Sequence, residues 1–260
     1  MEALAVIFVV VVGLVFGSFL NVCIARLPHH ESIIRPGSHC PRCQAAIAPH
    51  DNIPILSYFL LRGRCRACGH SISWRYPAIE LTLAALWLLC WLQYGPSLQA
   101  FGMAVLSFLL LGLAAMDAET MRLPNAFTLP GVVLGVIYSG ARCQHWMKCA
   151  VLSASWAATA AGILLAFSGA YWLLRRRVGM GMGDAKLMAL VAAWLGPSQA
   201  LLVFFLGILA SALYGLAISI GRRRFDGSIP LPFGSFLCAA ALYAAFHGHR
   251  ILNWYMGFFR

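Results

Sequence analysis

The sequence predicts an all-α polytopic membrane protein, built as a bundle of about eight transmembrane helices with one small cytoplasmic insert. Three observations support this fold class. Of the 260 residues, 61% are hydrophobic and only 10% are charged, whereas soluble domains carry about 25% charged residues. Apolar stretches long enough to cross a bilayer recur along the chain. Only one polar stretch, residues 26–78, is long enough to form a separate insert.

Eight apolar segments divide the chain. They cover residues 3–25, 79–94, 97–116, 126–140, 149–173, 185–195, 198–220 and 231–246. The first is predicted to be a membrane helix, because it exceeds the apolar length of about 7–15 residues found in cleavable signals and follows no basic region. The sixth is short, so a half-buried helix is an alternative to a full span. The predicted division is a first transmembrane helix at 1–25, the insert at 26–78, the helical bundle at 79–246 and an interfacial tail at 247–260.

The distribution of basic residues predicts the orientation of these segments. With the N-terminus outside, fifteen of the 19 Lys and Arg residues fall on the cytoplasmic side and four fall on the outer side, which is the positive-inside pattern. The net charge of +11 is therefore interpreted as a topology signal, and membrane lipid rather than nucleic acid is the predicted partner. Cys143 and Cys149, on the predicted outer side, could form a disulfide.

The insert contains two Cys-x-x-Cys pairs, Cys40 with Cys43 and Cys65 with Cys68. Four thiolates at this spacing are typical of a tetrahedral zinc site, and disulfides are disfavoured in a reducing cytoplasm. Four ordinary thiols or redox pairs are the alternatives. A site closed by four cysteines leaves no open position for water, so the predicted zinc is structural. It would supply much of the folding free energy of the insert.

Two acidic residues lie at helix ends on the same predicted membrane face. Asp117 ends the third apolar segment, and Asp184 begins the sixth. An ionisable group at membrane depth is costly and indicates function. Two carboxylates brought close together share one proton, as in the acid–base pair of aspartic proteases. One carboxylate then accepts a proton from water while the other protonates the carbonyl oxygen of a peptide.

Breaks in the helical pattern accompany both carboxylates. Gly179, Gly181 and Gly183 allow the backbone to leave helical geometry and to approach a substrate strand closely. Pro124 ends any continuation of the third segment. Broken backbone at membrane depth is tolerated where it lines a wet cavity. Gly181 and Gly183, together with Lys186, are therefore predicted to contribute to substrate access.

Other interpretations of the same residues remain open at this point. Asp184 could cap the first turn of its helix, and Lys186 could be its ionic partner. Paired acids and broken helices also mark ion paths in transporters, although the acids of this chain cluster at one face and no inverted repeat is visible. A further alternative is an assembly factor without enzymatic activity, whose zinc insert docks a secretion partner.

The motifs, in their order along the chain, resemble those of the prepilin peptidases, also called type IV leader peptidases. Residues 181–184 read GMGD and match the Gly-x-Gly-Asp signature of intramembrane aspartic proteases. The motif GSFLNV at 17–22, the two cysteine pairs, the stretch at 51–81 and the LPN that follows Asp117 extend the resemblance over nearly the whole chain. One departure is visible at 232–235, which reads Pro-Phe-Gly-Ser where the family often has Pro-Phe-Gly-Pro. The missing proline bears on the start of a helix rather than on the chemistry.

The resemblance implies a bifunctional enzyme of the bacterial inner membrane whose active site faces the cytoplasm. Such enzymes remove the short basic leader of type IV prepilins, or of type II secretion pseudopilins, after a glycine. They then methylate the new N-terminal amine with S-adenosyl-L-methionine. By motif match, Asp117 and Asp184 are the catalytic pair, and the four cysteines belong to the family's cytoplasmic loop.

No residue is predicted to bind the methyl donor. Ser18, Asn21 and Glu80 are polar groups on otherwise apolar segments. For these three, hydrogen bonding between helices is preferred to a role in binding the donor.

Overall fold

The computed structural model describes residues 2–176, 181–222 and 231–258, and the regular structure in these ranges is helical. The α-helices are α1 (Glu2–Arg26), α2 (Leu56–Leu60), α3 (Arg75–Tyr94), α4 (Leu98–Thr120), α5 (Asn125–Ala141), α6 (Trp146–Arg175), α7 (Met182–Leu195), α8 (Pro197–Arg222) and α9 (Phe233–Gly257). Two short 3-10 helices lie at Leu27–His29 and Pro49–Asn52. The described ranges hold isolated β-bridges but no sheet, so the predicted all-α class is confirmed.

Five of the described helices, α1, α3, α4, α6 and α8, are long and apolar enough to cross a membrane, and α5 is a shorter apolar helix. Large apolar side chains on these helices point outward. Leu4, Phe167 and Leu201 are each exposed by at least 70%. Exposure of such apolar side chains is unfavourable in water but not among lipid tails. The chain is therefore a multi-pass membrane protein.

The eight predicted apolar segments correspond to α1 and to α3 through α9. The clearest difference lies at the C-terminal end, where α9 continues through 247–257 as one helix. Gly248 does not interrupt this helix. A Cβ at Gly248 would lie 3.1 Å from the side-chain oxygen of Gln199, so its small size serves close packing rather than helix termination.

The chain forms two compact units, residues 1–112 and residues 113–260. In the first unit, α1 and α3 approach closely through small residues. A Cβ at Gly13 would lie 2.8 Å from the Cα of Ala84, and a Cβ at Gly17 would lie 2.6 Å from the Cα of Glu80. One turn further along α1, the amide of Asn21 donates to the backbone carbonyl of Tyr76 at 3.0 Å. Glycines four residues apart are a common helix-packing device in membranes.

In the second unit, α7 is enclosed by its neighbours. Nine of its 14 residues are buried. Burial of this extent is expected of an apolar helix that packs against neighbours on all sides. At about 21 Å, α7 is shorter than the roughly 30 Å hydrocarbon core, so the half-buried helix considered from the sequence describes it better than a full span. Its far end is held by Trp194, whose indole donates to the carbonyl of Gly131 at 2.8 Å.

A disulfide joins Cys143, in the loop between α5 and α6, to Cys149 in the first turn of α6. The pairing considered from the sequence is therefore present in the structure.

The close approach of α1 and α3 makes the stability of the first unit sensitive to Gly17. We expect Gly17→Ala to lower the apparent Tm in detergent, because the added Cβ must push apart two backbones, and overpacking of this kind costs about 1–3 kcal/mol. Gly162→Ala is the matched control, since Gly162 is also helical but a Cβ there meets nothing within 4 Å. Its Tm should equal or exceed that of the wild type, because alanine favours the helix. A Tm for Gly17→Ala as high as that of the control would contradict the packing argument.

Candidate active site

The first carboxylate lies at the end of a membrane-spanning helix. Asp117 is in the last turn of α4 and is only 5% exposed. The helix stops at Thr120, and Met121 takes a left-handed conformation with φ 53°. Pro124 then precedes α5 in an extended conformation. The break predicted from Pro124 is therefore present, and it turns the chain directly after the carboxylate.

Asp117 is held by the first turn of α9. The backbone N–H of Ser235 donates to Oδ2 of Asp117 at 2.7 Å, and the Ser235 hydroxyl lies 3.0 Å from the same oxygen. The hydroxyl also lies 2.9 Å from the carbonyl oxygen of Ala114. Ser235 is the third residue of α9, so its N–H lacks the usual carbonyl four residues earlier within the helix. Besides Asp117, this N–H lies 3.1 Å from the carbonyl oxygen of Pro232, the residue before the helix. The positive end of the helix dipole is thus directed at the carboxylate.

The second carboxylate, Asp184, occupies the corresponding third position of α7, a helix outside the five membrane spans. The backbone of Gly181, the residue before the helix, hydrogen-bonds to the Asp184 carboxylate, as an acidic residue does in a capping box. The capping role considered from the sequence is therefore present. Burial, and secondly the charge of Asp117, raise the pKa of Asp184 to about 6. The two carboxylates therefore interact electrostatically.

Leu123 lies between the starts of α7 and α9. A Cβ at Gly183 would lie 3.2 Å from the side chain of Leu123, and a Cβ at Gly234 would lie 3.0 Å from it. The same Cβ at Gly234 would also lie 3.0 Å from the carboxyl group of Asp117. Each glycine is the second residue of its helix and directly precedes Asp184 or Ser235. Glycine at these positions lets the starts of α7 and α9 both pack closely against Leu123.

The residues predicted for substrate access lie beside this site. Gly181 and Gly183 flank the first residue of α7, and Gly181 is exposed. Lys186 donates to the side-chain oxygen of Asn125 at 2.8 Å, so its partner in the structure is the start of α5. Gly179 lies outside the described residues.

The two cysteine pairs of the insert have the same local backbone structure. In each, the N–H of the first cysteine, Cys40 or Cys65, donates to the carbonyl five residues later, and its carbonyl accepts from the N–H four residues later. That fourth residue, Gln44 in one pair and Gly69 in the other, has a positive φ. The resulting tight turns bring the two thiols of each pair to the same side.

The four thiols converge closely enough to hold one metal ion. Their Sγ atoms all lie within 4.8 Å of one another, and those of Cys40 and Cys68 are 3.8 Å apart. Four sulfurs bound tetrahedrally at about 2.3 Å from zinc would be about 3.8 Å apart. Backbone hydrogen bonds, first from Cys43 and then from Arg42, lower the pKa of the Cys40 thiol to about 6. The cluster is compatible with zinc.

An ion pair supports the second cysteine pair. Arg66, between Cys65 and Cys68, binds both carboxylate oxygens of Asp51 at 2.7 and 2.6 Å. The guanidinium holds the pKa of Asp51 below its usual value. The contact joins the 3-10 helix at Pro49–Asn52 to the loop that carries the second cysteine pair.

The polar groups on α1 and α3 bond to one another and to the insert. The Ser18 hydroxyl hydrogen-bonds to Glu80, and the backbone N–H of Ile55 donates to the Glu80 carboxylate at 2.7 Å. Together with the bond from Asn21 described above, these contacts agree with the preferred interpretation of the three residues as hydrogen-bonding groups between helices.

Sequence reasoning missed two residues of the carboxylate site, Leu123 and Ser235. Both lie in short motifs that were noted for other reasons: Leu123 in the LPN after Asp117, and Ser235 at the departure from Pro-Phe-Gly-Pro. The usable signal was the repetition of a glycine followed by a polar residue at the starts of two helices.

Two family models match most of the chain. The model of the bacterial peptidase A24 N-terminal domain matches residues 11–94, and that of the type IV leader peptidase family matches residues 103–216. The first range contains all four cysteines, and the second contains both Asp117 and Asp184. No solved structure matches the chain.

Three curated relatives are named prepilin leader peptidase/N-methyltransferase. The protein from Aeromonas salmonicida (strain A449) is 34% identical, with 94% of this chain and 91% of the relative covered. The protein from Bacillus subtilis (strain 168) is 34% identical, with 94% and 95% covered, and that from Neisseria gonorrhoeae is 38% identical, with 86% and 84% covered. Since these matches run along most of both chains, the chain belongs to the type IV leader peptidase family.

Proposed function

We propose that this chain is a bifunctional membrane enzyme of the bacterial inner membrane. It removes the basic leader of type IV prepilins or type II secretion pseudopilins after a glycine, and it N-methylates the new terminal residue with S-adenosyl-L-methionine. The observation that carries the peptidase role is the electrostatic interaction of Asp117, at the end of α4, with Asp184, at the start of α7. Methyl transfer is supported by the names of the relatives.

Asp117 and Asp184 are the catalytic pair in this proposal. One carboxylate is ionised and takes a proton from water as the water oxygen bonds to the scissile carbonyl carbon. The other gives its proton to the carbonyl oxygen. When the tetrahedral intermediate collapses, the carbon–nitrogen bond breaks and the leaving amine takes the proton that the first carboxylate had accepted. A hydroxyl of the intermediate returns its proton to the second carboxylate, which restores the pair. Gly181 and Gly183 lie where an extended substrate backbone would need close access, and Lys186 lies beside them.

The cytoplasmic side is the proposed location of this site. A prepilin leader is basic and remains in the cytoplasm, while its apolar stem lies in the bilayer. Carboxylates at helix ends suit a cleavage site at that boundary. The excess of Lys and Arg on the same face supports this orientation.

Zinc is the proposed structural metal of the insert, held by Cys40, Cys43, Cys65 and Cys68. The metal would crosslink two loops that have little apolar core of their own. A closed thiolate set holds no water, so the metal stabilises the insert rather than taking part in hydrolysis.

Replacement of either catalytic carboxylate should abolish leader removal. We expect Asp117→Asn and Asp184→Asn each to lower kcat by at least about 1,000-fold, as loss of a catalytic residue does in other proteases. The measurement is leader removal from a full-length prepilin by the reconstituted protein. Glu119→Gln, an exposed change on the same helix, is the control and should retain activity. Normal cleavage by a folded Asp117→Asn or Asp184→Asn protein would remove that residue from the mechanism.

A methyl group at Gly234 should displace Asp117. We expect Gly234→Ala to lower kcat by about 100-fold, because the new Cβ needs space held by the carboxyl group and by Leu123, and displacements of about 1 Å have effects of this size. The same prepilin assay measures it. Gly162→Ala, where a Cβ meets nothing within 4 Å, should match the wild type. Equal activity of the two variants would show that Gly234 does not set the position of Asp117.

Purified protein should contain about one zinc ion per chain by elemental analysis. Cys40→Ser and Cys68→Ser should each lose the metal and lower the apparent Tm, because three thiolates leave the tetrahedral site open. Cys90→Ala, which removes a buried thiol of α3, should keep the metal. A folded wild-type protein without bound metal, even after zinc is added, would contradict the proposal.

A further inference from the structure

Ser235 presents two hydrogen-bond donors to Asp117, its backbone N–H and its hydroxyl. A proline at this position would have neither group. In this chain both groups lie within hydrogen-bond distance of Oδ2 of Asp117, at 2.7 and 3.0 Å. The hydroxyl contact therefore requires a hydroxyl side chain, whereas the N–H contact is open to any residue except proline.

We propose that Ser235 is a positioning residue, which keeps Asp117 ionised and thereby makes Asp117 the general base and Asp184 the acid of the pair. This inference rests on the proposed catalytic role of the two carboxylates. It adds which carboxylate is the base and which is the acid, and it names Ser235 as the residue that sets this difference.

The direction of the hydrogen bonds carries the argument. A backbone N–H can only donate, so Oδ2 of Asp117 is the acceptor of this hydrogen bond. A hydrogen bond donated to the charged form of an acid favours that form, and the start of α9 adds its positive dipole. With Oδ2 engaged by Ser235, Oδ1 is the oxygen left to take a proton from water.

The hydroxyl of Ser235 strengthens the same preference. It has one hydrogen and two neighbours, Oδ2 of Asp117 at 3.0 Å and the carbonyl oxygen of Ala114 at 2.9 Å. An ionised acceptor forms the stronger bond, so the hydroxyl donates to Asp117 when that group is charged. The contact with Ala114, one turn earlier on α4, also keeps the serine close to the helix that carries Asp117.

Among the described residues, Asp184 on α7 and Cys238, one turn after Ser235 on α9, interact with the charge of Asp117. Cys238 is fully buried, and burial is the main cause that raises the pKa of its thiol. It stays neutral in the pH range of peptidase assays. The proton is therefore shared between the two carboxylates, and the donors from Ser235 favour its residence on Asp184.

The test compares Ser235→Ala, Ser235→Thr and Ser235→Pro in the full-length reconstituted protein, with kcat and KM for prepilin cleavage measured against pH. Ser235→Ala should lower kcat about tenfold at a constant KM, and should move the acidic limb of the profile upward by about one pH unit. The sign follows because an ionised base that has lost a donor binds its proton at a higher pH. Ser235→Thr keeps both donors and should restore the wild-type profile, whereas Ser235→Pro should exceed Ser235→Ala in both effects.

Ser211→Ala is the matched control, since the Ser211 hydroxyl bonds only to the carbonyl of Ile208 on its own helix in the described structure. An acidic limb that stays in place or moves downward in Ser235→Ala would overturn the proposal, even if kcat falls. If Ser235→Pro does not fold, the alanine and threonine variants still decide the outcome.

The Asp117→Asn variant distinguishes an error in the proposed catalytic pair from an error in the role of Ser235. If it is active, the catalytic pair itself is wrong; if it is inactive while Ser235→Ala behaves as the wild type, only the role of Ser235 is wrong.

Discussion

The approach of two helix starts to Leu123 is the constraint on which the carboxylate site depends. Gly183 in α7 and Gly234 in α9 each face this side chain, at distances of 3.2 and 3.0 Å from an added Cβ. Larger residues would hold the helix starts apart. Because each start carries the positive end of a helix dipole, their convergence offsets part of the cost of placing two carboxylates in a partly buried site.

The packing of α7 fixes where that convergence occurs. Its far end is held by the bond from Trp194 to Gly131, and the hydroxyl of Ser153 donates to the carbonyl of Ala193 at 2.9 Å. A short helix anchored at one end presents its other end at a defined depth. Asp184 thus comes from a rigid element, and catalytic groups need that precision. The short length of α7, which would be a defect in a membrane span, allows its first turn to reach water.

The first unit is built on different interactions. The helices α1 and α3 pack through glycines and interhelical hydrogen bonds, as expected where lipid provides no hydrophobic drive for helix association. The insert between them contains few buried apolar residues, and its four thiols converge instead. The proposed zinc, together with the Asp51–Arg66 pair, would take the place that an apolar core has in a larger domain.

The sequence by itself determined the features that depend on neighbouring residues. Apolar length predicted the helices, cysteine spacing predicted the four-thiol cluster, and the Gly-x-Gly-Asp motif indicated the aspartates. Contacts between distant residues were decided only by the tertiary structure. Ser235 bonds to a carboxylate 118 positions away, and Lys186 bonds to Asn125 rather than to the nearby Asp184 considered from the sequence. The physical reason is that a side chain's partners are set by which helix faces pack together, and that packing depends on residues far apart in the chain.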